Sequence, residues 1–374
     1  MARLIKLTFL GDMMCQREQI AAIRKRGVRY DVIFDQVKHL WADSEYVAGN
    51  LETPVAGKRL RYAYEQMRFN APDDFARAIR NAGINFVSLA NNHILDRGLP
   101  GLKNTMCTLD SIGLEHSGAY MDKKDADSVF VKSIMGVRFA FVACTYGVNQ
   151  GLRCNYLSDD ELWHVDILKY PHTQITTRMF LFKRFLSNLA PMPIKRILSS
   201  RNRPTLNFAI DSVDEMEFGL SKHEPYLRNI LEKIRRAKQV ADVVIVLPHI
   251  GGQYCDKPGP WQNKVTEAFV SAGADLVIAN HAHVPLPIES RGDALVANCL
   301  GNFCFMPDAA TKSLEGADCS ILLNCYFDKA MHRLVDYDGR VLRTLIRGDG
   351  VAVPVPTQME FPWLKKAALN HISA

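Results

Sequence analysis

An α/β fold is predicted by three features of the chain. Strand-like and helix-like apolar patterns alternate along most of its length. Five of the strand-like runs stop abruptly at a carboxylate, a carboxamide or a histidine. No run of about 18 apolar residues interrupts the alternation, so no transmembrane helix is expected.

The elements follow in order. "LIKLTFLGD" alternates as a strand and ends at Gly11-Asp12. "YDVIFDQVKHLWADS" has helical apolar spacing, with Val32, Ile33, Val37, Leu40 and Trp41 on one face. "EYVAGNLE" is a short strand. "APDDFARAIRNAG" is a helix with Pro near its start, acids in its first turn and Gly past its end. "INFVSLANNH" is a buried strand and "GLPGLKNTMCTLDSIG" the next helix. "SVFVKSIMGVRFAFVACTY" is a hairpin closed around Met135-Gly136. Later, "EPYLRNILEKIRRAKQVA" and "PWQNKVTEAFVSAG" are helices, alternating with the strands "DVVIVLPH" and "ADLVIANH". "ALVANCLGNFCF" and "CSILLNCYF" are expected to be strands of a second sheet.

Composition narrows the class. Nearly half of the 374 residues are hydrophobic, enough for a sizeable core. A net charge of +6 is only mildly basic, and no aromatic-interleaved basic stripe stands outside residues 167–210, so no nucleic-acid partner is expected. The nine cysteines form no CxxC pair, and most lie within apolar runs, which points to a reducing compartment. The N-terminal residues enter a strand without a secretory apolar region, so a cytoplasmic location is expected. Residues 167–210 are odd: they hold no Asp or Glu but eight Lys or Arg. An insertion is the leading reading. A basic lid over an anionic substrate, or weak membrane-surface contact through 177–203, are the sharper alternatives.

In open α/β sheets, ligands bind outside the carboxyl ends of the strands. Those ends supply Asp12, then Asn50 and Glu52, then Asn91, Asn92 and His93, then His249, then His281 and His283. Each alone has an ordinary explanation: a helix cap, a turn, a buried imidazole. Five together point to one shared site. In an extended segment, His281-x-His283 points both rings to the same side. Carboxylate, carboxamide and imidazole donors suit divalent ions such as Mn, Fe or Zn. The candidate donors among these strand ends exceed what one open catalytic zinc needs. They suit two ions about 3.5–4 Å apart sharing a carboxylate, a pair that polarises a substrate oxygen and makes hydroxide available near neutral pH.

"FLGDMM", "GNLETPV", "FNAPDDFARAIRNAGINFVSLANNHILDRGLPGLKNTMCTLDSIGLEHSGA", "PHIGGQYCDKPGPWQ", "SAGADLVIANHAHV" and "LGNF" together resemble the capsule-synthesis CapA family, associated with poly-γ-glutamate, in the calcineurin-like metallophosphoesterase superfamily. The resemblance implies a four-layer α/β/β/α sandwich of the metallophosphoesterase type with its site along one edge. It implies one domain over residues 1–310, with an insertion at about 150–210. Residues 311–374 are then C-terminal strands and a tail packed on the same domain. It assigns Asp12 and His283 to a first ion, Asn92, His249 and His281 to a second, and Glu52 to the bridge. His93 becomes the general acid for the leaving group, with Asp96 orienting it. Two departures are visible. Met14 stands where related phosphatases have a ligand histidine, and "GNLE" replaces their Gly-Asp-x-x-Asp block.

The resulting expectation is a hydrolase using one or two divalent ions. It would act on an anionic small molecule, a phosphoester, or an amide such as a γ-glutamyl, peptide-like linkage. The alternative is a non-catalytic accessory protein whose partner is an amide ligase or a capsule polymer synthase.

Overall fold

The computed structural model describes residues 4–60, 69–149, 157–169, 223–307, 311 and 314–365. Of the basic segment, only 167–169 fall among them, so the lid and membrane-surface readings of 177–203 lie outside the described residues. No helix among the described residues is long and apolar enough to cross a membrane.

In chain order the elements are β1 (Ile5–Met13), α1 (Arg17–Arg26), β2 (Tyr46–Leu51), α2 (Asp73–Asn81), β3 (Phe86–Ser88), α3 (Gly98–Ser111), β4 (Glu115–Ser117), α4 (Lys123–Ala126), β5 (Phe130–Ile134) and β6 (Val137–Thr145). They continue with α5 (Glu224–Val240), β7 (Val243–His249), α6 (Pro260–Ser271), β8 (Leu276–Ile278), β9 (Pro285–Arg291), β10 (Ala294–Leu300), β11 (Asn302–Cys304), β12 (Cys319–Asp328), β13 (Arg333–Ile346) and β14 (Ala352–Pro356).

Two mixed sheets result. One runs β14-β13-β12-β1-β2-β3-β4, with β11 also paired to β1; the other runs β5-β6-β7-β8-β10-β9. The period-2 alternation of the central strands explains why they stack. On β6 and β7, Phe139, Phe141, Val243, Ile245 and Leu247 pack with residues of the first sheet. Their neighbours Ala140, Val142, Val244 and Val246 pack instead with Ile230 and Ile234 of α5 and Val265 and Phe269 of α6. Aromatic contacts cross between the sheets: Phe139 meets Phe327 edge-on at 5.1 Å, and Phe141 stacks on Phe86 at 4.9 Å. Phe75 and Ile79 of α2, and Leu102 and Leu109 of α3, join the same core cluster as the first sheet. The architecture is the four-layer α/β/β/α sandwich. The C-terminal strands are part of it, since β12 pairs antiparallel with β1 from Ile5↔Phe327 to Phe9↔Leu323.

Three local expectations are corrected. Residues 30–41 are not an α-helix but two 3-10 turns, Tyr30–Ile33 and Lys38–Trp41. Each turn closes with an i to i−3 bond, from Phe34 N to Asp31 O and from Ala42 N to His39 O. An i, i+3 apolar spacing serves either helix, and Ile33, Phe34, Val37 and Trp41 are still buried by it. Secondly, the strands after residue 294 do not share one sheet. β10 pairs with β8, whereas β11 and β12 flank β1 in the other sheet. The chain changes sheet at Gly301, whose φ of 78° places it in the left-handed region. The third correction, at His281 and His283, belongs to the site.

The hairpin around Met135-Gly136 is present, with positive φ at both residues (51° and 91°) between β5 and β6. That is the backbone of a two-residue hairpin turn whose twist matches its strands.

Candidate metal centre

The parallel strands β1, β2 and β3 of one sheet, and β7 and β8 of the other, bring their carboxyl ends to one edge. Asp12 lies near the end of β1, Glu52 just past β2, the segment 91–93 past β3, and His249 is the last residue of β7. Asp12, Glu52, Asn92, His93, Asp96, His249, His281 and His283 are all buried.

The last two arrive by a route that strand alternation does not supply. Pairing of β7 with the chain beyond β8 persists to Asn280, whose N–H donates to Pro248 O at 3.0 Å. Then φ turns to 104° at His281 and 60° at His283. The segment is therefore not extended. Two left-handed residues flank the buried Ala282, whose carbonyl accepts from Tyr254 N at 2.7 Å. Positive φ at non-glycine residues costs on the order of 1–3 kcal/mol each and persists only where surrounding contacts impose it. Here it brings both rings to Glu52, and His283 also to Asp12.

The shortest spacings group the donors into two sets. His249 Nε2 lies 2.9 Å from Asn92 Oδ1, 3.1 Å from His281 Nδ1 and 3.4 Å from Glu52 Oε1. Asp12 Oδ2 lies 3.4 Å from His283 Nδ1, and Glu52 Oε1 is 3.8 Å from His283 Nε2. On a looser limit of 4.8 Å between ligand atoms, the groups interleave as Glu52-His281-His283 and Asp12-Glu52-His249. The shorter contacts define the closer neighbours, and Glu52 is common to either grouping.

These residues fit divalent cations on two observations. Donors about 2.1 Å from one ion stand about 3.0–3.5 Å from one another, which the first set matches. More tellingly, both carboxylate oxygens of Glu52 are buried and accept no hydrogen bond. Buried polar atoms are nearly always satisfied, and carboxylates above all, because desolvating a charge without a partner is costly. A cation between Glu52 and the imidazoles satisfies both oxygens.

His93 sits differently. Its Nδ1 is 2.8 Å from Asp96 Oδ2, which also accepts from Phe69 N at 2.7 Å. The Phe69 ring lies against the imidazole at a centroid distance of 4.3 Å. The other ring nitrogen, Nε2, faces the centre, 3.9 Å from Glu52 Oε1. Met14 packs with Phe69 and Phe305 in a small apolar cluster.

Electrostatics divide the groups. Burial, then the charge of Glu52, raises the Asp12 carboxyl above its usual range. Burial acts on Glu52 the same way, but His283 and His249 outweigh it and hold that carboxyl down at about 2. Burial, followed by neighbouring His249 and His283, keeps His281 well below the usual histidine value, hence neutral and ready to ligate. Burial also opposes charge on His283, but Glu52 and Asp12 prevail and raise it to about 9. An imidazolium cannot ligate. Metal affinity is therefore expected to climb as pH rises from 6.5 towards about 9, because His283 sheds its proton over that window. Chelator competition at a series of pH values measures this; a flat profile across the window contradicts it.

Several neighbours carry no role from the sequence. Asn50 Nδ2 donates to Asp12 Oδ1 at 2.7 Å and lies 3.2 Å from His249 Nδ1. Asn91 Nδ2 donates to Leu51 O, and its Oδ1 accepts from His93 N. Asn302 contacts His283. Asn50 and Asn91 stood at strand ends without an assigned role. Asn302 stands just past the apolar run of β10, so the same strand-end rule, applied once more, would have found it. Tyr146, whose ring is tilted against that of His281 at 4.5 Å, stands just past the apolar run of β6 and falls under the same rule.

Fold and site together define a two-sheet α/β protein with a buried Asp/Glu/His cluster, consistent with metal binding, at the carboxyl ends of its strands. The chain belongs to the bacterial capsule synthesis protein family PGA_cap, whose model matches residues 6–307. Among characterised relatives it is 25% identical over 305 residues to "Capsule biosynthesis protein CapA" of Bacillus anthracis, covering 80% of this chain and 60% of that protein. It is 25% identical over 303 residues to "PGA biosynthesis protein CapA" of Bacillus subtilis (strain 168), covering 80% and 63%. The chain thus spans under two thirds of the length of these two relatives. Among solved structures it is similar to a hypothetical protein from Thermus thermophilus, with a TM-score of 0.44, 15% identity, and coverage of 91% of this chain and 99% of that one. It is also similar to a structure described as a novel phosphatase from Mycoplasma pneumoniae, with a TM-score of 0.45, 11% identity and coverage of 92% and 95%.

Proposed function

We propose that the chain is a metal-dependent hydrolase that holds one or two divalent ions (Mn, Fe or Zn) and cleaves a phosphoester or an amide such as a γ-glutamyl linkage. The observation that carries this reading is the pairing of the orphaned Glu52 carboxylate with His93 beside it. Bound ions supply Lewis acidity and an activated water at neutral pH. Asp12 and His283 would hold one ion, Asn92, His249 and His281 the other, and Glu52 both. His93 does the proton work: Asp96 orients the ring through Nδ1, and Nε2 faces the centre, where a leaving group would take its proton. Phe69 donates to Asp96 through its N–H and covers one face of the ring, so the His93–Asp96 pair has a packed, hydrogen-bonded setting.

The test is metal analysis of protein purified without chelator, followed by assay with Mn on a model phosphoester and a γ-glutamyl anilide. His93→Asn is expected to lower kcat about 10²- to 10⁴-fold while leaving metal content unchanged. Absence of bound metal together with absence of turnover on both substrates would discard the reading.

A second reading draws on the names of the relatives, which refer to capsule and PGA biosynthesis, that is, to a polymer being made. On it the same edge is a binding groove, and the chain is an accessory to an amide ligase or polymer synthase. Recovery of such an enzyme in a pull-down that His93→Asn does not impair, with no turnover by the isolated chain, would favour it.

A further inference from the structure

We propose that Asn302 is a positioning residue that fixes the tautomer of His283, so that the Nε2 lone pair, and not Nδ1, is presented to the metal centre. The proposal rests on the metal-binding reading above for its purpose, but not for its geometry.

Asn302 is buried on β11, in register with Asp12 on β1. Its Nδ2 donates to two carbonyls, His283 O at 3.2 Å and Ala317 O at 3.1 Å. Both amide protons are thereby used, which orients the carboxamide. Oδ1 is left facing His283 Nδ1 at 2.9 Å. A carboxamide oxygen only accepts, so Nδ1 must carry hydrogen. The second atom near Nδ1 is Asp12 Oδ2 at 3.4 Å, again an acceptor when ionised. In a neutral ring the lone pair then sits at Nε2, the nitrogen on the Glu52 side. Turning the amide over would set Nδ2 against the protonated ring nitrogen and Oδ1 against two carbonyls, losing all three bonds.

The bond to His283 O has a second consequence. It ties down the backbone at a residue with φ of 60°, so one side chain holds both the strained main chain and the ring it carries. A carboxylate at this position could accept from Nδ1 but could not donate to either carbonyl. A neutral amide does both and adds no charge beside Asp12 and Glu52.

The experiment is ¹⁵N NMR of histidine-labelled, metal-free protein at a pH above the His283 pKa, followed by zinc titration against a chromophoric chelator. Wild type is expected to show His283 protonated at Nδ1 alone. Asn302→Leu is expected to populate the Nε2–H form and to weaken one zinc site about 10- to 100-fold with the other unchanged. Asn302→Asp, which keeps the acceptor, is expected to keep the wild-type tautomer and serves if the leucine variant fails to fold. Nε2–H in wild type, or a wild-type tautomer with wild-type zinc affinity in Asn302→Leu, overturns the proposal. A wild-type protein that takes up no zinc overturns the metal reading instead, while the tautomer still decides the role of Asn302.

Discussion

Glu52→Gln is expected to strip the protein of both ions at once. Glu52 is the one residue common to the two triads, and its Oε1 lies within 4 Å of His93, His249 and His283. Gln has nearly the same shape, so packing is kept. The substitution removes one negative charge from a centre whose other carboxylate, Asp12, is raised above its usual range by burial and then by Glu52. A centre of three imidazoles and one such carboxylate lacks the anionic bridge needed to hold two cations near each other. Substitutions confined to one set, such as His281→Ala, are expected to leave the other site partly filled. The measurements are metal content and the thermal shift on adding ion. At an ion concentration of 100 times Kd, wild type should gain about 2.7 kcal/mol of apparent stability, and Glu52→Gln essentially none. Full metal content in the glutamine variant would refute the shared-carboxylate arrangement.

Gly11→Ala is expected to cost about 3 kcal/mol or more of folding stability and to empty the site with it. A Cβ at position 11 would meet Gly301 O at 2.0 Å, and that oxygen is backbone, unable to swing away. The same carbonyl accepts from Asp12 N at 2.9 Å, so the clash lies one residue from a candidate ligand. Relief requires β1 and β11 to separate, which moves Asp12 on one strand and Asn302 on the other. Gly113→Ala is the control. Gly113 has a φ of +66° and nothing within 4 Å of a built Cβ, so only conformational strain of about 1–2 kcal/mol is expected, with metal content intact. Urea unfolding and metal analysis of both variants test the contrast. Equal stability losses would show that the β1–β11 approach is not the constraint.

Much of the fold was legible because it is written locally. The alternation of β6 and β7 gives both faces of the second sheet, one towards the first sheet and one towards α5 and α6. Helices α2, α3, α5 and α6 follow from apolar spacing and turn residues. What was not legible has a common cause. Residues 30–41 satisfy a 3-10 and an α-helical period equally, and only their fit beneath Phe75 and Phe303 settles the choice. β11 and β12 look like continuations of β10, and the sheet they join is decided by Gly301, where the backbone of Cys319 approaches too closely for any side chain.

The candidate site divides in the same way. Asp12, Glu52, Asn92, His93, His249, His281 and His283 could be picked out because an apolar strand that ends in a polar residue is a local pattern; Asp96 was named only through the family resemblance. Which atoms face each other is not local. The His-x-His pair converges through two left-handed residues, not through an extended strand. The tautomer of His283 depends on Asn302, a neighbour brought in by a different strand.

The sequence by itself determined the residue types at one edge of an α/β sheet, because side-chain period and strand length are properties of consecutive residues. Only the tertiary structure decided that these ends meet. It also decided that Glu52 is left without a hydrogen-bond donor and that a carboxamide from β11 selects the nitrogen His283 presents. These outcomes rest on pairings between residues as far apart as 12 and 302, whose register is set by packing across two sheets and by close backbone approach at Gly11 and Gly301.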